Sequence, residues 1–165
     1  MPPWPTIDTI MFDMDGTLLD LHFDNFFWLN LIPRNYANNL GISEEEATEI
    51  IRGKYEKVHG TLQWYCLDYW QNELQLDIPL LKNQNREKIA VRPNVKSLLK
   101  ELQSTNKRML LITNAHPTSL EIKMNSTGIA EFFHQCISSH QLQLAKENDG
   151  FWEQLQTIEA YDPQR

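Results

Sequence analysis

Apolar residues recur along this chain with two different periods, and the changes of period mark its elements. Ile7 to Phe12 is a short run rich in apolar and β-branched residues that ends at an acidic, glycine-containing turn, which predicts a buried strand. Met109 to Ile112 and Gln135 to Ser138 predict two further short strands. Elsewhere the spacing is helical. Ser43-Glu44-Glu45-Glu46 opens a helix with a serine cap and a glutamate three residues later, and this helix is expected to reach about Val58, before Gly60. A second helix over about Leu62 to Leu74 would place Leu62, Tyr65, Tyr69 and Trp70 near one face. Val95, Leu98, Leu99 and Leu102 mark another, with Pro93 at an early position. The last two are expected over Pro117 to about Gly128 and Asn148 to Ile158. The prolines of residues 1–6 predict an extended lead into the first strand.

Chemistry concentrates where the first strand ends. Asp13 and Asp15 lie two positions apart, so in extended backbone both would face one small volume, and Gly16 permits a sharp turn after them. Ligands in open α/β sheets bind just beyond the carboxyl ends of the strands. Two carboxylates that close repel unless a hard cation such as Mg²⁺ or a proton intervenes, and a carboxylate can also attack phosphorus. Asp and Gly are ordinary turn residues as well, so an isolated Asp-x-Asp would more simply be two solvated turn acids. The preceding strand and the following Gly-Thr-Leu-Leu favour the chemical reading.

Totals narrow the classes. At 165 residues, 41% hydrophobic and 22% charged, the chain has globular composition. Its net charge of −7 argues against nonspecific binding to nucleic acid or anionic membrane, and any phosphate site must reverse that sign locally. Cys66 and Cys136 are far apart and outside any Cys-x-x-Cys pair, which reads as buried free thiols rather than a zinc or redox motif. The N-terminus lacks the pattern of a signal peptide, and no apolar run has membrane-spanning length, so a soluble cytoplasmic protein is expected.

Asp13-Met14-Asp15-Gly16-Thr17-Leu18-Leu19 resembles the first motif of the haloacid dehalogenase-type phosphohydrolases. That resemblance implies an α/β fold with a Rossmann-like parallel sheet, Mg²⁺ dependence and an aspartyl-phosphate formed on Asp13, with Asp15 as general acid and base. Asp13 and Asp15 would also supply metal ligands. It further implies phosphoryl contacts from Thr113 and Asn114, at a second strand end, and from Lys146, at the start of the last helix. Residues 20–91 would be an all-helical cap inserted into a core made of 1–19 and 92–165. Within the superfamily the likeness is to bacterial GMP/IMP-type purine 5′-nucleotidases, carried by the first motif, by Thr61 to Trp70 and by Leu111 to Pro117. The expected partner is therefore a small phosphomonoester, a purine mononucleotide.

The aromatic residues of Asp20 to Trp28 and Trp64 to Trp70 read chiefly as packing, and alternatively as a surface for stacking a nucleobase. His22 and Asp24 follow the acidic motif closely enough to face a site entrance. The resemblance also implies a fourth, acidic motif after a further strand. No Asp-Asp pair follows Lys146, so a C-terminally incomplete core is expected. Two other readings stay open. One is a catalytically incompetent phospholigand-binding or structural remnant of the fold; the other is a sugar-phosphate phosphatase or phosphomutase.

Overall fold

A three-stranded parallel sheet carries the site in the computed structural model, which describes residues 4–163. Strands β1 (Thr9–Phe12), β2 (Arg108–Thr113) and β3 (Gln135–Ser138) pair in that order, with Met11 opposite Leu110 and Leu111 opposite Cys136. A parallel sheet needs cover on both faces, and the continuous apolar run of β2 is buried from Met109 to Thr113. Alternate residues serve opposite faces. Met109 and Leu111 pack with Leu99, Leu120 and Met124, whereas Leu110 and Ile112 pack with Ile137, Phe151 and Leu155.

Between β1 and the helix that leads into β2, six helices form a separate layer. They are α1 (His22–Phe26), α2 (Ile32–Leu40), α3 (Glu44–Val58), α4 (Leu62–Tyr65), α5 (Leu67–Leu74) and α6 (Ile78–Gln84). They share a second apolar cluster built on Phe23, Phe27, Ile51, Leu67 and Trp70. A π-helical turn at Phe27–Leu31 joins α1 to α2. Pro33 has no N–H to continue an α-helical ladder, and the wider turn ahead of it accommodates the missing donor. The Ser43 cap is present, its Oγ accepting from the Glu46 N–H at 3.1 Å. Chain exit and return lie side by side: Leu19 and Val91 form an antiparallel bridge, flanked by Asp20 N–H to Ala90 O and Arg92 N–H to Leu18 O.

Three helices complete the sheet's cover: α7 (Val95–Gln103), α8 (Pro117–Thr127) and α9 (Phe151–Ile158). Several boundaries differ from expectation. The helix expected over Leu62 to Leu74 is broken at Cys66, which is extended (φ −83°, ψ 114°). The buried Trp70 indole N–H donates to the Trp64 carbonyl across this break at 2.9 Å, so the interrupted ladder regains a bond. Pro93 lies before α7 rather than within it. The last helix starts at Phe151, because Asn148 folds back to accept the Ala145 N–H and Gly150 (φ +82°) caps the helix. Lys146 therefore sits in a loop, not at a helix start. Of the expected extended lead, residues 1–3 lie outside the described residues, and Trp4–Thr6 forms a 3-10 turn. No described helix is long and apolar enough to cross a membrane.

Candidate active site

The loops after β1 and β2, and the loop that carries Lys146, converge at the carboxyl end of the sheet. Asp13 follows β1, and its carboxylate accepts from Lys146 Nζ at 2.5 Å and from Thr17 Oγ1 at 3.3 Å. Lys146 is tied further, its ammonium to the Ile112 carbonyl at 3.1 Å and its backbone N–H to Asn114 Oδ1 at 2.8 Å. The Asn114 amide donates to both Glu147 carboxylate oxygens at 2.9 Å, and Tyr65, from α4, reaches the same carboxylate at 3.3 Å. Thr113 is buried, and its Oγ1 accepts the Ala115 N–H at 3.1 Å, which leaves the hydroxyl proton to donate. Asp13, Thr113, Asn114 and Lys146 thus come together. Asn114 is engaged at both ends of its amide in holding the Lys146 loop.

Gly16 makes the turn possible with a φ of +78°, where a side chain would be strained. Its carbonyl is held by Arg92 Nη1 at 2.6 Å. Just ahead of this turn, Asp15 is served by a different cation from Asp13. Lys123 of α8, 2% exposed, donates to Asp15 Oδ1 at 2.7 Å and to Asp24 Oδ2 at 2.6 Å. Lys82 of α6, also 2% exposed, donates to Asp24 at 3.3 Å and lies 4.4 Å from the centre of the Phe27 ring. Four alternating charges therefore run from Asp15 into the helical layer.

Burial raises the Asp15 carboxyl above its usual range, against the pull of Lys123. Burial also works against the Asp24 charge, but Lys123 and Lys82 together hold that carboxyl below its usual range. For Lys123 the two carboxylates outweigh burial and raise it, while burial pulls Lys82 down to about 8. Lys123 and Lys82 were not singled out in the sequence. A signal existed for Lys123, which stands on the buried stripe of Leu120, Met124 and Thr127 at helical spacing. Lys82 offers none so plain. Of the two residues behind the acidic motif, Asp24 joins the site, while His22 is exposed.

Beside these groups is a cavity of about 320 Å³ between the helical layer and the strand ends. Asp15, Asp24, Lys82 and Lys123 contribute to its lining, as do Trp28, Tyr55, Trp64 and Trp70. The aromatic rings meet edge to face, Tyr55–Trp64 at 5.3 Å and Tyr55–Trp70 at 4.8 Å between centres. Such contacts hold an apolar wall rigid. Packing and a ligand-facing surface are thus combined in the same residues.

A parallel sheet with an acidic loop after its first strand, faced by a lysine from a later loop, defines a hydrolase class. The chain belongs to the haloacid dehalogenase-like hydrolases, whose family model matches residues 7–155. It is 39% identical over 149 residues to the GMP/IMP nucleotidase YrfG of Escherichia coli (strain K12), covering 90% of this chain and 67% of that protein. Among solved structures it resembles a haloacid dehalogenase-type phosphatase from Thermococcus onnurineus (TM-score 0.79, 21% identity, 90% of this chain and 69% of that one). It also resembles the L-2-haloacid dehalogenase from Xanthobacter autotrophicus (TM-score 0.60, 19% identity, 96% and 67%). These two likenesses concern the fold.

Proposed function

We propose that this chain hydrolyses purine nucleoside 5′-monophosphates through an aspartyl-phosphate on Asp13. The observation that carries the proposal is the pairing of Asp13 with Lys146 at the sheet's carboxyl end, two residues from Asp15, which lines a cavity that combines charged groups with aromatic residues. The name of the 39% identical relative supports the choice of base and phosphate position. Residues 20–91 would act as a cap hinged at the Leu19–Val91 bridge, excluding water and enclosing the nucleoside.

Asp13 attacks phosphorus in line, with Lys146 and the Thr113 hydroxyl placed to balance the charge gathering on the phosphoryl oxygens. Asn114 acts by fixing the Lys146 loop as much as by any direct contact. Asp15 gives a proton to the departing 5′-oxygen and later takes one from the hydrolytic water. Its raised pKa favours the protonated form that the first step needs, and Lys123, bonded to Oδ1, orients the carboxyl. The donor chemistry fits Mg²⁺: Asp13 offers hard carboxylate oxygens on a side chain that keeps 39% exposure despite its two partners. Asp13 and the Asp15 backbone carbonyl would hold the ion, which supplies positive charge to the phosphate.

Phosphate release from IMP, GMP and a generic aryl phosphate, with and without Mg²⁺, tests the reading, with Asp13→Asn as the contamination control. Mg²⁺-dependent release that prefers the nucleotides and vanishes in the variant is expected. Nucleotide binding without turnover by well-folded protein would instead favour a non-catalytic phospholigand-binding role.

A further inference from the structure

Cys66, His116 and His140 come from three separate segments: the break between α4 and α5, the start of α8 and the 3-10 turn after β3. One ligand atom from each lies within 4.8 Å of the other two. We propose that these three side chains bind a divalent transition-metal ion of the zinc type, at a site separate from Asp13.

The donor set is that of a borderline-soft cation, two imidazoles and a thiol, which Mg²⁺ disfavours and zinc accepts. Bond lengths of about 2.0–2.3 Å would place tetrahedral ligand atoms about 3.3–3.8 Å apart, so side-chain shifts of about 1 Å close the site. His140 supplies an independent indication. Its Nε2 is buried and has no hydrogen-bond partner among the described residues. Nε2 is therefore the ring atom available as a ligand, and the Asn114 backbone lies close enough to act on the ring. An orphaned buried nitrogen is costly, and an ion would satisfy it. The His116 ring lies 5.0 Å from that of His140, and its Nε2 is 3.5 Å from the Asp68 carboxylate, the kind of partner metal-bound imidazoles commonly have. His116 Nδ1 accepts the Thr118 N–H at a long 3.3 Å, so reorienting the ring costs little. A net charge of −7 adds a general attraction for cations.

The site ties parts that function would need to separate. Cys66 belongs to the helical layer, and His116, which also lines the cavity, follows β2. A bound ion would therefore latch the helical layer to the strand ends.

Co²⁺ is the probe, titrated into the full 165-residue chain. A thiolate-to-cobalt charge-transfer band with intense tetrahedral visible bands is expected, saturating at one equivalent. Zn²⁺ should displace it and excess Mg²⁺ should not. The band should persist in Asp13→Asn and Cys136→Ser, disappear in Cys66→Ser, and weaken in His140→Gln and His116→Gln. Absence of the band in folded wild-type protein would overturn the proposal, as would an unchanged band in Cys66→Ser. Should Cys66→Ser fail to fold, wild-type spectra and affinity in both histidine variants would overturn it equally. Because the readout is optical, the result is independent of whether the chain is a nucleotidase.

Discussion

Lys123→Met removes one ammonium from between two carboxylates while keeping most of the apolar stem, so its effect is electrostatic. The lysine is 2% exposed, 2.7 Å from Asp15 and 2.6 Å from Asp24. At an effective dielectric constant of about 20, each contact has a gross attraction of about 6 kcal/mol, most of it offset by the desolvation of the ions. Removing one member of a buried pair typically costs about 3–5 kcal/mol, because a charge is left without compensation. The Asp15 and Asp24 side chains keep 28% and 20% exposure, and Lys82 still faces Asp24, which places the expected loss near the lower end, about 3 kcal/mol at pH 7. With a urea dependence of about 2 kcal/mol/M, the midpoint should fall by about 1.5 M.

The pH dependence has a definite sign. Without Lys123, burial and the Asp24 charge act on Asp15 against only the weaker pull of Lys82, and its folded pKa rises further above the unfolded value. The native variant then binds more protons than its unfolded state, so it regains stability as pH falls through that folded pKa. Wild-type Asp24, held low, loses its contribution only as pH falls below the ordinary 3.8. The gap between the two proteins should therefore narrow from pH 7 towards pH 4.5. Urea melts at both pH values measure it. An unchanged midpoint at pH 7, or a gap that does not shrink in acid, would refute the assignment of a stabilising role to this network.

Other perturbations address other parts. Asp13→Asn should reduce phosphate release from IMP to background with an unchanged circular dichroism spectrum, and retained turnover would rule out Asp13 as nucleophile. Trp64→Ala should lower kcat/KM for IMP about tenfold, the loss of one stacking contact, with little effect on glycerol phosphate. Equal losses on both substrates would argue against base stacking. Lys82, with a folded pKa of about 8 against an ordinary 10.5, gives up its proton before the unfolded chain does. Wild-type stability relative to Lys82→Met should therefore increase as pH rises between those values, and urea melts across that range would show it.

Local pattern explains why much of the fold was legible. The three strands are short apolar runs ending in turn residues, and a parallel sheet buried on both faces demands such runs. Asp13 and Lys146 could be singled out because the resemblance assigned them to a strand end and to a helix start; the structure brings their charges together, although Lys146 sits in a loop. The break at Cys66 was not, since propensity favours one helix there. Tertiary packing of the Trp70 indole against the Trp64 carbonyl accompanies the interruption.

By itself the sequence determined the α/β class, the acidic loop after the first strand and the capping of several helices. Each depends on neighbours within a few residues and on the alternation of apolar side chains. Only the tertiary structure decided that Asp13 and Asp15 are held by different lysines, that Lys82 and Lys123 are buried cations, and that Cys66 meets two histidines. Those pairings join residues from about 50 to more than 100 positions apart. Their energies arise from exclusion of water at the junction of the helical layer with the sheet, a condition that no local stretch of sequence contains.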